Sequence, residues 1–117
     1  MHEVELMTFG EALEALKRGY PVAREKWGEK GVFLFLRPSD DIPVKIVVDV
    51  VKSLPQSVKT FFNKKYNSDH LSASENSGPV VNFGGYICMK SDDDSIINGW
   101  SPSQTDMLSN DWKAMYK

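Results

Sequence analysis

The chain has a single cysteine, Cys88, and only two histidines, His2 and His70. One cysteine excludes a disulfide within the chain, so packing and hydrogen bonds must hold the fold, as suits a reducing cytoplasm. Cys88 sits in an apolar stretch with no histidine near it in sequence, which favours a buried structural thiol over a nucleophile. No apolar run approaches the roughly 20 residues that span a bilayer. The N-terminus lacks the basic-then-apolar pattern of a secretory signal, so no membrane partner is expected. Neither sign of charge dominates: 14 Lys and Arg stand against 16 Asp and Glu, a net charge of −2. A general binder of DNA or RNA shows a basic face, so no nucleic-acid polymer is expected as partner. A small phosphorylated ligand held by a few convergent donors stays open.

Motifs for metal and cofactor chemistry are also missing. Asp92-Asp93-Asp94 lacks the alternate spacing and closing glutamate of a calcium loop, and reads as a hairpin turn. Gly28-x-x-Gly31 and Gly84-Gly85 match neither a Walker motif nor a dinucleotide fingerprint, and read as turn glycines. Lys59, Lys64 and Lys65 cluster near Phe61 and Phe62, a pattern better explained by a solvated helix face than by a nucleic-acid contact. No catalytic residue, metal or cofactor is expected.

What is present is an ordinary globular composition, 41% hydrophobic and 26% charged over 117 residues, enough for one core. Thr8-Phe9-Gly10-Glu11 is a capping box, followed by Phe9, Ala12, Leu13 and Leu16 at helical spacing and closed by Gly19 and Pro21. This predicts a helix over 9–17. A short strand is expected at 21–24 and a glycine turn at 27–31. The run 32–36 reads as a strand apolar on both faces, one covered by the helix and the other by a second subunit or a ligand. In the middle, Ile46, Val47, Val50, Val51 and Leu54 fit a helical stripe. Pro55 would open another helix with Val58, Phe61 and Phe62 inward. Residues 67–78 are polar and read as a mobile loop. A hairpin is expected from strands 86–89 and 95–100. Ser101 and Gln104 would then cap a short helix, with Pro102 at its first position, before a last strand at 112–116. The fold class is α+β: a small antiparallel sheet with an N-terminal helix, a short C-terminal helix and a helical middle insertion over 38–83, all within one domain of 1–117.

The densest polar segment is WSPSQTDMLSNDW, Trp100 to Trp112. A capped helix between two core tryptophans explains part of it. The hydroxyls and carboxylate of Ser103, Thr105 and Asp106 are left over from that capping. With Trp100 and Trp27 they offer what a nucleotide needs: an aromatic face for a purine, worth about 1–3 kcal/mol per base, and partners for ribose hydroxyls and base edges. Trp112 reads as core rather than ligand contact.

The blocks MTFGEALEALKRGYPVAREKW, FLFL, YICMK and W-x-x-SQTDMLSNDW resemble, in order, the Thoeris anti-defence 2 family of small phage and prophage proteins. The likeness covers about 1–37 and 84–117, and its most specific part is Ser103 to Trp112. The resemblance implies a sponge rather than an enzyme, acting in the cytoplasm of an infected bacterium. Family members hold a cyclic ADP-ribose isomer made by the Thoeris defence system, some also hold cyclic oligonucleotides, and neither is cleaved. It also implies a homotetramer with pockets between subunits. Ligand contacts are then expected in the 24–27 stretch and the 100–106 block, Gln104 included. Trp27 and Trp100 would stack adenine, Ser103, Thr105 and Asp106 would bond ribose or phosphate oxygens, and Arg24 or Lys90 would neutralise the pyrophosphate. Two rivals remain: a small inhibitor that contacts a host defence protein through the 59–66 surface, and a nucleotide-processing enzyme.

Overall fold

The computed structural model describes residues 5–66 and 78–115. Most of the expected polar loop and both histidines lie outside the described residues. The described residues fall into two compact units. One is built from the chain's two ends, up to Pro38 and from Gly85 onward; the other is Ser39–Gly84.

In the first unit, helix α1 is Phe9–Lys17, as the capping box predicts. The Thr8 amide donates to Glu11 Oε1 at 2.9 Å and the Glu11 amide to Thr8 Oγ1 at 3.1 Å. At the other end Tyr20 N–H reaches back to the Ala15 carbonyl and Gly19 N–H to that of Leu16. This Schellman pair needs the left-handed backbone that Gly19 supplies at φ 93°. Strand β1, Val22–Arg24, leads through a 3-10 turn, Glu25–Trp27, to β2, Phe33–Arg37. After the second unit come β5, Tyr86–Lys90, β6, Ile96–Asn98, helix α4, Gln104–Leu108, and β7, Trp112–Ala114. These strands form an antiparallel five-stranded sheet in the order β6-β5-β2-β1-β7.

Register sorts the side chains. Leu34 lies opposite Met89 and Leu36 opposite Ile87, and opposed residues share a face. That face meets α1, where Ala12, Ala15, Leu16, Val22, Leu34 and Trp112 form the buried core. The reverse face carries Phe33 opposite Lys90 and Phe35 opposite Cys88, with the two phenylalanine rings 6.3 Å apart. The fold is α+β, as expected. Trp112 is fully buried, in line with its reading as core.

The second unit is a two-stranded antiparallel sheet of β3, Asp40–Pro43, and β4, Val80–Phe83, with helices α2, Val44–Asp49, and α3, Gln56–Tyr66. Val44 and Val47, one turn apart, are fully buried. The expected helix over 46–54 is shorter and starts earlier. Helical backbone gives out at Val50, 57% exposed, because its run of β-branched residues pays an entropic penalty in a helix that burial there does not offset. Phe61, expected inward, is 56% exposed. Strands β3 and β4 were not expected. Their ladder joins positions about forty residues apart, and an Asn82 amide bonded to Asp41 at 2.7 Å makes up for the poor strand propensity of two aspartates.

Candidate functional site

The cap of α4 falls two residues later than the spacing suggests. Ser103, not Ser101, is the N-cap: its hydroxyl accepts from the Asp106 amide at 3.0 Å, and Asp106 Oδ2 accepts from the Ser103 amide at 2.9 Å. Pro102 precedes the cap instead of opening the helix. The preference has a cause outside the helix, because the other oxygen of Asp106 accepts from Arg24 Nη1 at 3.0 Å. A carboxylate at the third helical position serves both the cap and a buried cation, which the neutral Gln104 cannot do.

Arg24 anchors this region. It is 6% exposed, and all three guanidinium nitrogens have side-chain partners. Nε donates to Asp111 Oδ1 at 2.9 Å, Nη1 to Asp106, and Nη2 to Ser109 Oγ at 2.7 Å. The Ser109 hydroxyl in turn donates to the Thr105 carbonyl at 2.6 Å. Asp111 Oδ2 accepts from the Lys26 amide at 3.1 Å. The hydrogen bond to Asp111 raises the Arg24 pKa against the opposing effect of burial. Burial works against ionisation of Asp106, but its bonds from Ser103 and Arg24 prevail and hold the carboxyl below the usual range. Burial opposes Asp111 too, and Arg24 and the Lys26 amide prevail.

Beside this cluster the three tryptophans of the chain pack together. Trp27 and Trp112 stand 5.5 Å apart at 80°, Trp27 and Trp100 6.5 Å at 78°, and Trp100 and Trp112 6.3 Å at 77°. Each pair is edge-to-face, the arrangement that the ring quadrupoles favour. Trp112 is further fixed by Nε1 donating to the Asp106 carbonyl at 2.9 Å. Trp27 and Trp100 are half-buried.

Trp27 also walls a cleft of about 540 Å³, within the range of small-molecule sites. One wall is the turn, with Lys26, Trp27, Gly28, Lys30 and Val32; the other is Met89, Ser91 and Asp92. Gly28 has φ 71° and ψ −151°, a conformation open essentially to glycine alone. Of the aspartate run, Asp93 closes the hairpin, accepting from Ser91 Oγ at 2.5 Å, Ser95 Oγ at 2.6 Å and the Ser95 amide at 3.0 Å. These bonds, that from Ser91 foremost, pull its pKa down to about 2. Asp94 pairs with Lys90 at 2.7 Å.

The eight sequence-predicted residues therefore do not gather around one cavity. Trp27 lines the cleft and Trp100 packs against it. Arg24, Ser103 and Asp106 belong to one hydrogen-bonded cluster with Ser109 and Asp111. Gln104 and Thr105 are exposed on α4, Gln104 in a shallow hollow of about 250 Å³ with Met107 and Leu108. Lys90 follows Met89 on β5 and so points to the opposite sheet face, where its ammonium lies 5.4 Å from the Phe33 ring centroid. Cys88 is fully buried, its thiol 3.4 Å from Asn98 Oδ1. Of the other cleft-lining residues, Lys26 fell within the expected 24–27 stretch, while Lys30 and Asp92 were not among the expected contacts; the one available signal was two lysines bracketing Trp27-Gly28.

No helix among the described residues is long and apolar enough to cross a membrane, and no group of three His, Cys, Asp or Glu there is placed to hold a metal. A small α+β protein with a ligand-sized cleft beside a tryptophan cluster is the class that fold and site define. The sequence matches the Thoeris anti-defense 2-like domain over residues 7–115, so the chain belongs to that family. It is 38% identical over 106 residues to Thoeris anti-defense 2 of Bacillus phage SP01, covering 91% of each chain.

Proposed function

We propose that the chain is a phage anti-defence protein that binds a cyclic nucleotide immune messenger, a cyclic ADP-ribose isomer, and withholds it without cleaving it. Membership of the anti-defence family supports the biological role. The observation that carries the mechanism is the cleft of about 540 Å³ with a half-buried tryptophan in its wall. Trp27 is the face on which a purine stacks, with Trp100 packed edge-on against it. Gln104 and Thr105, exposed on α4, are available to a ligand or to a second subunit. Arg24, Ser103 and Asp106 shape the site through one another rather than touching the ligand. A homotetramer with pockets between subunits is part of this reading. Strand β6 stands at the sheet edge with Ile96 and Ile97 each 49% exposed, and an apolar edge of this kind favours association.

The test is binding and release. Purified protein is incubated with cyclic ADP-ribose isomers and cyclic di- and trinucleotides, freed of unbound ligand and heat-denatured, and the released molecule is identified by mass spectrometry. An intact cyclic nucleotide is the expected result. Recovery of cleaved product alone would turn the reading toward an enzyme.

A second reading, direct contact with a host defence protein, draws on α3. It carries Lys59, Lys64 and Lys65 with no acidic residue, beside the exposed Phe61. A folded protein that releases no nucleotide but enriches one host protein in a pull-down would favour it.

A further inference from the structure

The two walls of the cleft differ in charge. The turn contributes Lys26 and Lys30, both exposed and neither in an ion pair with another described residue. The hairpin contributes Ser91 and Asp92. Asp92 is the member of the aspartate run whose carboxylate the hairpin does not use, since Asp93 is engaged by Ser91 and Ser95 and Asp94 by Lys90. Two exposed lysines thus share one wall of the cleft with Trp27, and Asp92 stands on the other.

We propose that Lys26 and Lys30 hold a diphosphate diester, whose two negative charges they match, and that Asp92 selects against ligands that end in a free terminal phosphate. This rests on the messenger-binding reading and assigns the part of the ligand each wall takes. A lysine ammonium is a flexible point charge with three donors, suited to an anion arriving from water. Asp92 accepts from a ribose hydroxyl or a base amino group and repels the extra charge that a terminal phosphate brings. A cyclic ADP-ribose isomer carries its diphosphate inside the ring with no terminal phosphate; ADP carries one.

The experiment is calorimetric titration of the full chain with each cyclic ADP-ribose isomer and with ADP. Lys26→Ala/Lys30→Ala should bind the isomer that wild type prefers at least about tenfold more weakly. Lys26→Arg/Lys30→Arg should keep most of the affinity, and Lys59→Ala/Lys64→Ala should bind as wild type does. Wild-type affinity should fall as salt rises, and that of the double alanine variant much less so. Both lysines are exposed, so melting curves should be unchanged. Asp92→Asn should narrow the preference for the isomer over ADP by about threefold or more. Equal binding by wild type and Lys26→Ala/Lys30→Ala overturns the lysine assignment while leaving messenger binding intact. An unchanged preference in Asp92→Asn overturns the selective role of Asp92. Failure of wild type to bind any isomer overturns the messenger reading and this inference with it.

Discussion

Arg24→Ala is the substitution with the largest predictable consequence. The Arg24 side chain is 7% exposed, and the two carboxylates it pairs with are 16% and 26% exposed. Removing the cation leaves both without their charged partner in a place where water cannot fully replace it. Breaking a buried pair of this kind costs about 3–5 kcal/mol, a large share of the roughly 5–15 kcal/mol that holds a domain together. Urea unfolding at neutral pH should show a loss of this size. Arg24→Met keeps much of the apolar stem, so its difference from Arg24→Ala reports packing, and the loss that remains reports charge.

The pH dependence has a definite sign. Asp106 and Asp111 are held below their ordinary value of 3.8 in the fold. Their contribution to stability is present above the unfolded pKa and is lost as pH falls through the folded values. Without Arg24 the bonds from Ser103 to Asp106 and from the Lys26 amide to Asp111 remain, but burial, which pushes the other way, is then opposed by fewer partners. The gap between wild type and Arg24→Ala should therefore be full near neutral pH and narrow once pH drops below about 4. A loss under about 1 kcal/mol at neutral pH, the value of a surface pair, would refute the reasoning. So would a gap of the same size on acidification.

Two further outcomes follow from the capping and turn geometry. Ser103→Ala should cost about 1 kcal/mol and lower Tm by roughly 3–6 °C, whereas Ser101→Ala should be near neutral; the reverse order would put the cap back at Ser101. An NMR titration should find the Asp93 carboxyl ionising at about 2, and Ser91→Ala should raise that value; a wild-type midpoint near 3.8 would mean that the hairpin bonds do not form in solution.

What could be read from the sequence is what is local in the chain. Helix α1 announces itself through Thr8, Glu11, its apolar spacing and Gly19, all within one short segment. The hairpin around Ser91 to Asp94 is equally local. The β3–β4 ladder is not: Ile42 meets Val81 across two intervening helices, and Asp40 and Asp41 disguise the strand. The capping box was legible as a type but not in register, because Ser101-x-x-Gln104 and Ser103-x-x-Asp106 both fit the pattern. The choice depends on Arg24, 82 residues away. Trp27 was legible as an aromatic face and Lys26 as part of the 24–27 stretch, while Lys30 drew no reading until the turn placed both lysines on one wall.

The resemblance offered Arg24 or Lys90 as the cation for a pyrophosphate, and the fold sets Arg24 in a buried ion cluster and pairs Lys90 with Asp94. A guanidinium is planar and weakly hydrated, with donors set in a fork, and so it serves in the interior, where three fixed acceptors surround it. An ammonium is strongly hydrated and stays at the rim. The division has a mechanical link. Asp111 binds Arg24 through one oxygen and the Lys26 amide through the other, and the Glu25 amide donates to the Asp111 carbonyl at 2.8 Å. The turn that presents Lys26 and Trp27 to the cleft therefore hangs on the buried ion cluster. Through Asp106 the same cluster fixes the cap of α4 and the indole of Trp112, against which Trp27 and Trp100 both pack. The wall of the cleft formed by this short turn gains its rigidity from charges placed behind it.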